Sequence, residues 1–187
     1  MSNYLKDKVV VVTGAAGGFG RLVALKSLKL GASVVCSDID ERALSQLVED
    51  LNADNSQVFG IKADVSKLKE VNSLVLETIE KFGQVDVMIN NAGIMPLAFY
   101  ADHDSAVEAW DRCIDINIKG VLNGITAVYD HMIDQGRGHV VNLSSIYGNY
   151  PVAGAGVYGA SKAAVNFLSE SLRVESQGKI KVTIVKP

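Results

Sequence analysis

The chain has 187 residues, 48% hydrophobic and 21% charged, with a formal net charge of −3. This balance fits one large globular domain, residues 1–187, and excludes a disordered or collagen-like chain. No basic run is present, so neither nucleic acid nor an anionic membrane surface is expected as a partner.

The N-terminal stretch MSNYLKDKVVVV lacks the apolar core of a signal peptide, and no apolar run reaches bilayer length. Cys36 and Cys113 are the only cysteines, too few for a disulfide framework. A cytoplasmic protein with reduced thiols is the expectation. His103, His131 and His139 are scattered, without metal-ligand spacing to either cysteine, so no metal site is expected.

Strand-like apolar runs occupy Val9–Thr13, Ser33–Ser37, Val58–Ile61, Val85–Asn90, His139–Leu143 and Lys181–Val185. Amphipathic helical patterns lie between them, near Gly18–Leu30, Glu41–Leu51, Lys67–Phe82, Asp104–Asp134 and Val157–Gln177. Nearly continuous Val and Ile suit strands covered on both faces. Alternating β and α segments then predict an α/β fold, a doubly wound parallel sheet joined by right-handed crossovers.

The first strand runs into TGAAGGFG, Thr13–Gly20, which opens the first helix. Gly14 permits a tight turn, Gly18 lets the backbone approach a pyrophosphate, and Gly20 allows close helix–strand packing. Unsatisfied N–H groups at the helix N-terminus would face the phosphates. By itself such a cluster also fits a plain strand-to-helix turn. Asp38 ends the second strand, where an acidic side chain hydrogen-bonds adenosine ribose hydroxyls. A carboxylate there repels a 2′-phosphate, and Ala15, Ala16 and Ile39 supply no compensating cation. NAD(H) is therefore expected over NADP(H).

The fourth strand ends in Asn90-Asn91-Ala92-Gly93, suited to close cofactor approach or to a structural turn. Asn117 lies inside a long helical pattern, where its amide would hold a water or a local distortion, or would simply be partly buried without a special role. The fifth strand delivers Ser144 and Ser145 to its carboxyl end. Tyr158 and Lys162 follow in YGASK, four residues apart and so on one helix face. An ammonium one turn from a phenol favours the phenolate, as proton transfer by tyrosine requires. Met95, Pro96, Leu97, Ile146, Tyr147 and Tyr150 flank these segments as candidate walls of an apolar substrate pocket.

Taken together, TGAAGGFG, NNAG, Asn117, Ser145, YGASK and the closing VKP resemble the short-chain dehydrogenase/reductase family, in its order and over essentially the whole chain. The resemblance implies a Rossmann sheet of order 3-2-1-4-5-6 and a hydride-transferring oxidoreductase acting on a small-molecule alcohol or ketone. Tyr158 would be the general acid/base, and Lys162 would depress its pKa and hold the nicotinamide ribose. Ser145 would polarise the substrate oxygen, and Asn117 would anchor a water in the proton relay. Cofactor contacts would come from Gly14, Gly18, Phe19, Gly20, Asp38, Ile39, Asp64, Val65, Asn91, Ala92, Gly93 and Pro187, besides Tyr158 and Lys162. A homodimer or homotetramer through the two long helices is implied as well.

Family members normally continue beyond the proline after the sixth strand, whereas this sequence stops at Pro187. The expectation is a chain without the substrate-covering segment and with Lys181–Val185 as an open sheet edge. A cofactor-binding subunit without competent chemistry, or an NADP-dependent carbonyl reductase of the same fold, are the alternative readings.

Overall fold

The computed structural model describes residues 4–52 and 57–187; the first three residues of the N-terminal stretch lie outside them. Six parallel strands stand in the order β3-β2-β1-β4-β5-β6. They are β1 (Val9–Thr13), β2 (Ser33–Asp38), β3 (Val58–Lys62), β4 (Val87–Asn90), β5 (Gly138–Leu143) and β6 (Ile180–Val185). Helices α1 (Gly18–Lys29), α2 (Glu41–Asn52) and α3 (Leu68–Phe82) fill the first three connections. After β4 come α4 (His103–Ile114), α5 (Gly120–Asp134) and α6 (Gly156–Glu175). The expected Rossmann order is the observed one.

Alternation along β1 splits the core between the two sheet faces. Val10 and Val12 point to the side packed by Ala24 of α1 and by Leu44, Leu47 and Leu51 of α2. Val11 points to the other side, with Leu74 of α3, Val128 of α5 and Val165 of α6. Helix α3 shows how the sequence selects its face, since Val71, Leu74, Val75 and Thr78 are all buried at helical spacing. Gly83 ends it in the left-handed conformation, φ 78°, with its N–H on the Ile79 carbonyl.

Several element ends shift by a residue or two from the sequence reading, and two departures have an identifiable cause. Strand β4 begins at Val87 rather than Val85, where side chains take both backbone groups of Val85. The Val85 N–H donates to His131 Nε2 and its carbonyl accepts from Gln135 Nε2, while Asp86 accepts from the Val9 N–H and from Lys8 and Gln84. The single pattern over Asp104–Asp134 is two α-helices joined by a π-helical turn, Asp115–Lys119. Coverage of the sheet is also uneven. On β5 and β6, Val140, Asn142, Ile180 and Val182 are buried beneath the helices, whereas Val141, Leu143 and Thr183 on the opposite face are half-buried.

A buried polar ladder ties the last helix to the middle of the sheet. Asn90 Nδ2 donates to Asn142 Oδ1, Asn142 Nδ2 to Ser169 Oγ, and Ser169 Oγ to the Val165 carbonyl. Gly124 of α5 lies against the Asn90 carboxamide, where an added Cβ would collide with Oδ1 and approach Cγ to 2.8 Å. In an exposed helix, glycine to alanine stabilises by about 1 kcal/mol. Here Asn90 cannot turn away without breaking the ladder. Gly124→Ala is therefore expected to lower unfolding free energy by roughly 1–3 kcal/mol in urea titration; a gain in stability would refute the packing argument.

Candidate active site

Every strand of a parallel sheet ends at the same edge, and the chain places its chemistry there. At the junction of β1 and β4, Thr13 Oγ1 donates to the Ile89 carbonyl and accepts from the Asn91 and Ala92 N–H groups. Asn91 Nδ2 returns two bonds, to the carbonyls of Thr13 at 2.8 Å and Gly14 at 3.0 Å. NNAG is thus clamped onto the glycine-rich loop. Gly14 has φ 61°, and a Cβ there would lie 2.8 Å from Ala92 Cα, so only glycine fits. A Cβ at Gly20 would collide with the Gly14 carbonyl.

Gly17 and Gly18, by contrast, face open space. No side chain caps the start of α1, and no acidic residue lies in its first turn. Its leading N–H groups are therefore available to an anion. Asp38 closes the other side of this loop, accepting from the Ala16 N–H at 2.9 Å and the Asp40 N–H at 3.1 Å. Ile39 next to it is exposed. The cation across from Asp38 on β3, Lys62, is paired with Glu41 at 3.0 Å.

Asp64 accepts from the Ser66 N–H and hydroxyl and pairs with Lys67. Burial opposes its ionisation, but those bonds outweigh it and hold the carboxyl below its usual range. Val65 is buried against Gly120, and its carbonyl accepts from Asn123 Nδ2.

A cavity of about 430 Å³ lies at the strand ends, lined by Ser145, Tyr158 and Lys162 together with Phe19, Asn91, Gly93 and Pro187. Met95, Ile146 and Tyr147 also line it, whereas Pro96, Leu97 and Tyr150 do not. Ser145 leaves β5 in extended conformation and begins a short 3₁₀ turn, its Oγ accepting from the Tyr147 N–H at 3.2 Å. Tyr158 stands in the first turn of α6, its ring edge-on to Tyr147 with centroids 6.2 Å apart.

Lys162 Nζ lies 5.7 Å from the Tyr158 ring centroid and donates to the Leu143 carbonyl at 2.8 Å. Only 5% of Lys162 is exposed. That burial pulls its pKa down to about 8, with Cys113 acting weakly the other way. The two cysteines are buried and free, and burial raises both thiols, Cys36 to about 12.

Asn117 is brought beneath the cavity rather than into its wall. It sits in the π turn, its Oδ1 accepting from the Ile94 N–H and its Nδ2 donating to the Ile94 carbonyl, both at 2.9 Å. The same Nδ2 reaches Ser161 Oγ at 3.0 Å. The local-distortion reading of Asn117 is what the structure contains. A π turn widens the helix by one residue, and this side chain bonds the loop after β4.

Sequence reasoning passed over Ser161, whose hydroxyl links Asn117 to the Tyr158 carbonyl. It also gave no role to Ser144, whose hydroxyl donates to the Lys162 carbonyl. Position was the only available signal, Ser161 lying inside YGASK and Ser144 next to Ser145. Among the described residues no group of His, Cys, Asp and Glu is placed to hold a metal, and no helix is long and apolar enough to cross a membrane.

Known proteins resemble this chain in sequence and fold. An uncharacterized oxidoreductase of Staphylococcus epidermidis is 36% identical over 184 residues, covering 98% of this chain and 78% of its own. A Listeria monocytogenes protein, also an uncharacterized oxidoreductase, is 40% identical over 172 residues, covering 92% of this chain and 68% of its own. A crystal structure of a short-chain dehydrogenase/reductase from Burkholderia phymatum, in complex with NAD, superposes with a TM-score of 0.93 at 34% identity. The match spans 98% of this chain and 66% of that one. The family model described as short chain dehydrogenase matches residues 8–187. With a matching fold and a family model over nearly its whole length, the chain belongs to the short-chain dehydrogenase/reductase family of oxidoreductases.

Proposed function

We propose that the protein is an NAD(H)-dependent oxidoreductase interconverting a secondary alcohol and a ketone. One observation carries this reading: Ser145, Tyr158 and Lys162 share a single cavity with Phe19 of the glycine-rich loop and Asn91 and Gly93 of NNAG. Acid–base groups and a dinucleotide cradle are needed together for hydride transfer, and for little else.

The chain's own residues fit a dinucleotide. Open space before Gly17 and Gly18, with the uncapped start of α1, suits a pyrophosphate. Gly14 and Gly20 keep that loop tight, and the Asp38 carboxylate, held by the Ala16 and Asp40 N–H groups, would meet the ribose hydroxyls. Ile39, Asp64 and Val65 flank the adenine side, and Ala92 and Pro187 the nicotinamide side. When bound, the nicotinamide supplies or accepts the hydride.

In the reducing direction, the Tyr158 hydroxyl gives its proton to the carbonyl oxygen while the Ser145 hydroxyl donates to the same oxygen. The Lys162 ammonium favours the phenolate left behind and holds the nicotinamide ribose hydroxyls. Its bond to the Leu143 carbonyl stops a buried cation from being left unpartnered. Asn117 would anchor a relay water, and since its carboxamide is committed to Ile94 and Ser161, that water would have to be held by its main chain.

The assembly is a homodimer or homotetramer through α5 and α6. Leu122, Phe167 and Val174 are exposed there, beside a groove lined by Ile125, Tyr129, Leu168 and Leu172.

Following nicotinamide absorbance with NADH and a mixed pool of ketones tests the activity directly. Tyr158→Phe is expected to reduce turnover by about 10²–10⁴-fold while leaving NADH binding intact; near-normal turnover would end the mechanism. NADH binding without turnover by the unaltered protein would assign it to cofactor binding alone. Asp38→Asn removes the charge but keeps the shape, and should narrow the preference for NADH over NADPH by roughly tenfold in fluorescence titration. Stronger NADPH binding by the unaltered protein would overturn the cofactor assignment. Sedimentation equilibrium should give a dimer or tetramer, with Phe167→Glu shifting the equilibrium towards monomer; a monomer from the outset contradicts the interface.

A further inference from the structure

A second concavity adjoins the catalytic one. A groove of about 360 Å³ is formed by Tyr100, Tyr147, Tyr150, Pro151, Val152 and Gly156, and no charged side chain lines it. Tyr147 is the shared wall, lining both this groove and the 430 Å³ cavity that holds Tyr158. Its ring stands between two others, edge-on to Tyr158 at 6.2 Å and tilted 56° to Tyr150 at 6.5 Å. A continuous aromatic surface therefore leads from the reacting centre into the groove.

The walls are built rather than accidental. Tyr100 is braced edge-on by Trp110, their centroids 5.9 Å apart. A Cβ at Gly156 would lie 2.6 Å from the Tyr100 hydroxyl, so glycine at the start of α6 is what lets that ring close on the helix. Tyr100 and Tyr150 nevertheless remain mostly exposed, at 73% and 51%. Large aromatic surface left open beside a reaction site marks a place where a ligand lies.

Resting on the oxidoreductase reading above, the division of space names the substrate class. Phe19, Asn91, Gly93, Lys162 and Pro187 would face the nicotinamide in the first cavity, and Tyr147 carries its wall on into the groove, so the part of a substrate beyond the reacting carbon can extend there. We propose that the substrate is a secondary alcohol or ketone bearing a flat, uncharged apolar arm, and that this arm lies over Tyr147 in the Tyr100–Tyr150 groove. A ring-sized body fits the groove's volume and stacks on tyrosine faces, whereas a carboxylate or phosphate would meet no cation in its walls.

The test compares 2-butanone with 4-phenyl-2-butanone, which carry the same carbonyl and differ by the ring. Affinity is read by calorimetry on the protein with NAD⁺, and turnover separately with NADH. The phenyl ketone is expected to bind at least about tenfold tighter. Tyr150→Ala removes one wall, and Ala163→Leu fills the groove from an exposed helical position. Each should reduce that ratio roughly fivefold or more, with 2-butanone unaffected.

Equal affinities for the two ketones, binding of neither, or an unchanged ratio in both variants would overturn the arm site. So would an Ala163→Leu variant whose only change is in oligomeric state, which would give the groove to a second copy of the chain. Ring-dependent binding without turnover leaves the arm site standing and removes the hydride-transfer reading instead.

Discussion

The joint between β1 and β4 is the constraint on which the rest of the site depends. Strand order reverses there, so the two connections leave in opposite directions and a crevice opens at the strand ends. Two side chains hold that crevice to one width. Thr13 Oγ1 takes both the Asn91 and Ala92 N–H groups, and Asn91 Nδ2 bonds the carbonyls of Thr13 and Gly14. The glycine-rich loop and NNAG therefore move as one body. Without that clamp, the open face before Gly17 and Gly18 would have no fixed distance to the cavity holding Tyr158.

The second half of the site is positioned by burial. Lys162 and Tyr158 ride on α6, and the Asn90–Asn142–Ser169 ladder sets that helix against β4 and β5. Ser169 lies two turns beyond Lys162, so the ladder and the lysine occupy one stripe of the helix. Below it, the π turn aims the Asn117 carboxamide at Ile94 and Ser161, joining the loop after β4 to α6. Polar groups so deeply placed are costly unless satisfied, and every one of these side chains has a partner, with Asn90 Oδ1 alone among the atoms of the ladder left unbonded. Correct bonding thus specifies helix rotation more narrowly than apolar contact does.

Electrostatics follow from the same geometry. Lys162 is drawn into a setting that lowers its pKa to about 8, and the Leu143 carbonyl at the end of β5 supplies its bond. Asp38 stands at the end of β2, where two N–H groups orient its carboxylate. Lys162 lies at the cavity with Tyr158, and Asp38 lies beside the glycine-rich loop. The uncharged groove beyond Tyr147 lies outside the reach of either bond network.

The sequence by itself determined the strands, their parallel pairing and the identity of the groups at the strand ends. These are local properties: runs of Val and Ile, a helical period in α3, glycines where backbones meet, and a fixed Tyr158–Lys162 spacing. It also offered a local distortion at Asn117 as one of several readings, because asparagine competes with the helix for backbone bonds. Only the tertiary structure decided where that side chain leads, since Ile94 and Ser161 lie far from it in sequence. The same holds for Ser144 and Ser161, whose hydroxyls become meaningful once α6 packs over β5. Tyr150, expected beside the reacting centre, instead belongs to the neighbouring groove, because the turn after Ser145 carries it past Tyr147. Spacing along a chain specifies neighbours within one helix or strand; distances between elements are set by packing, which no single segment encodes.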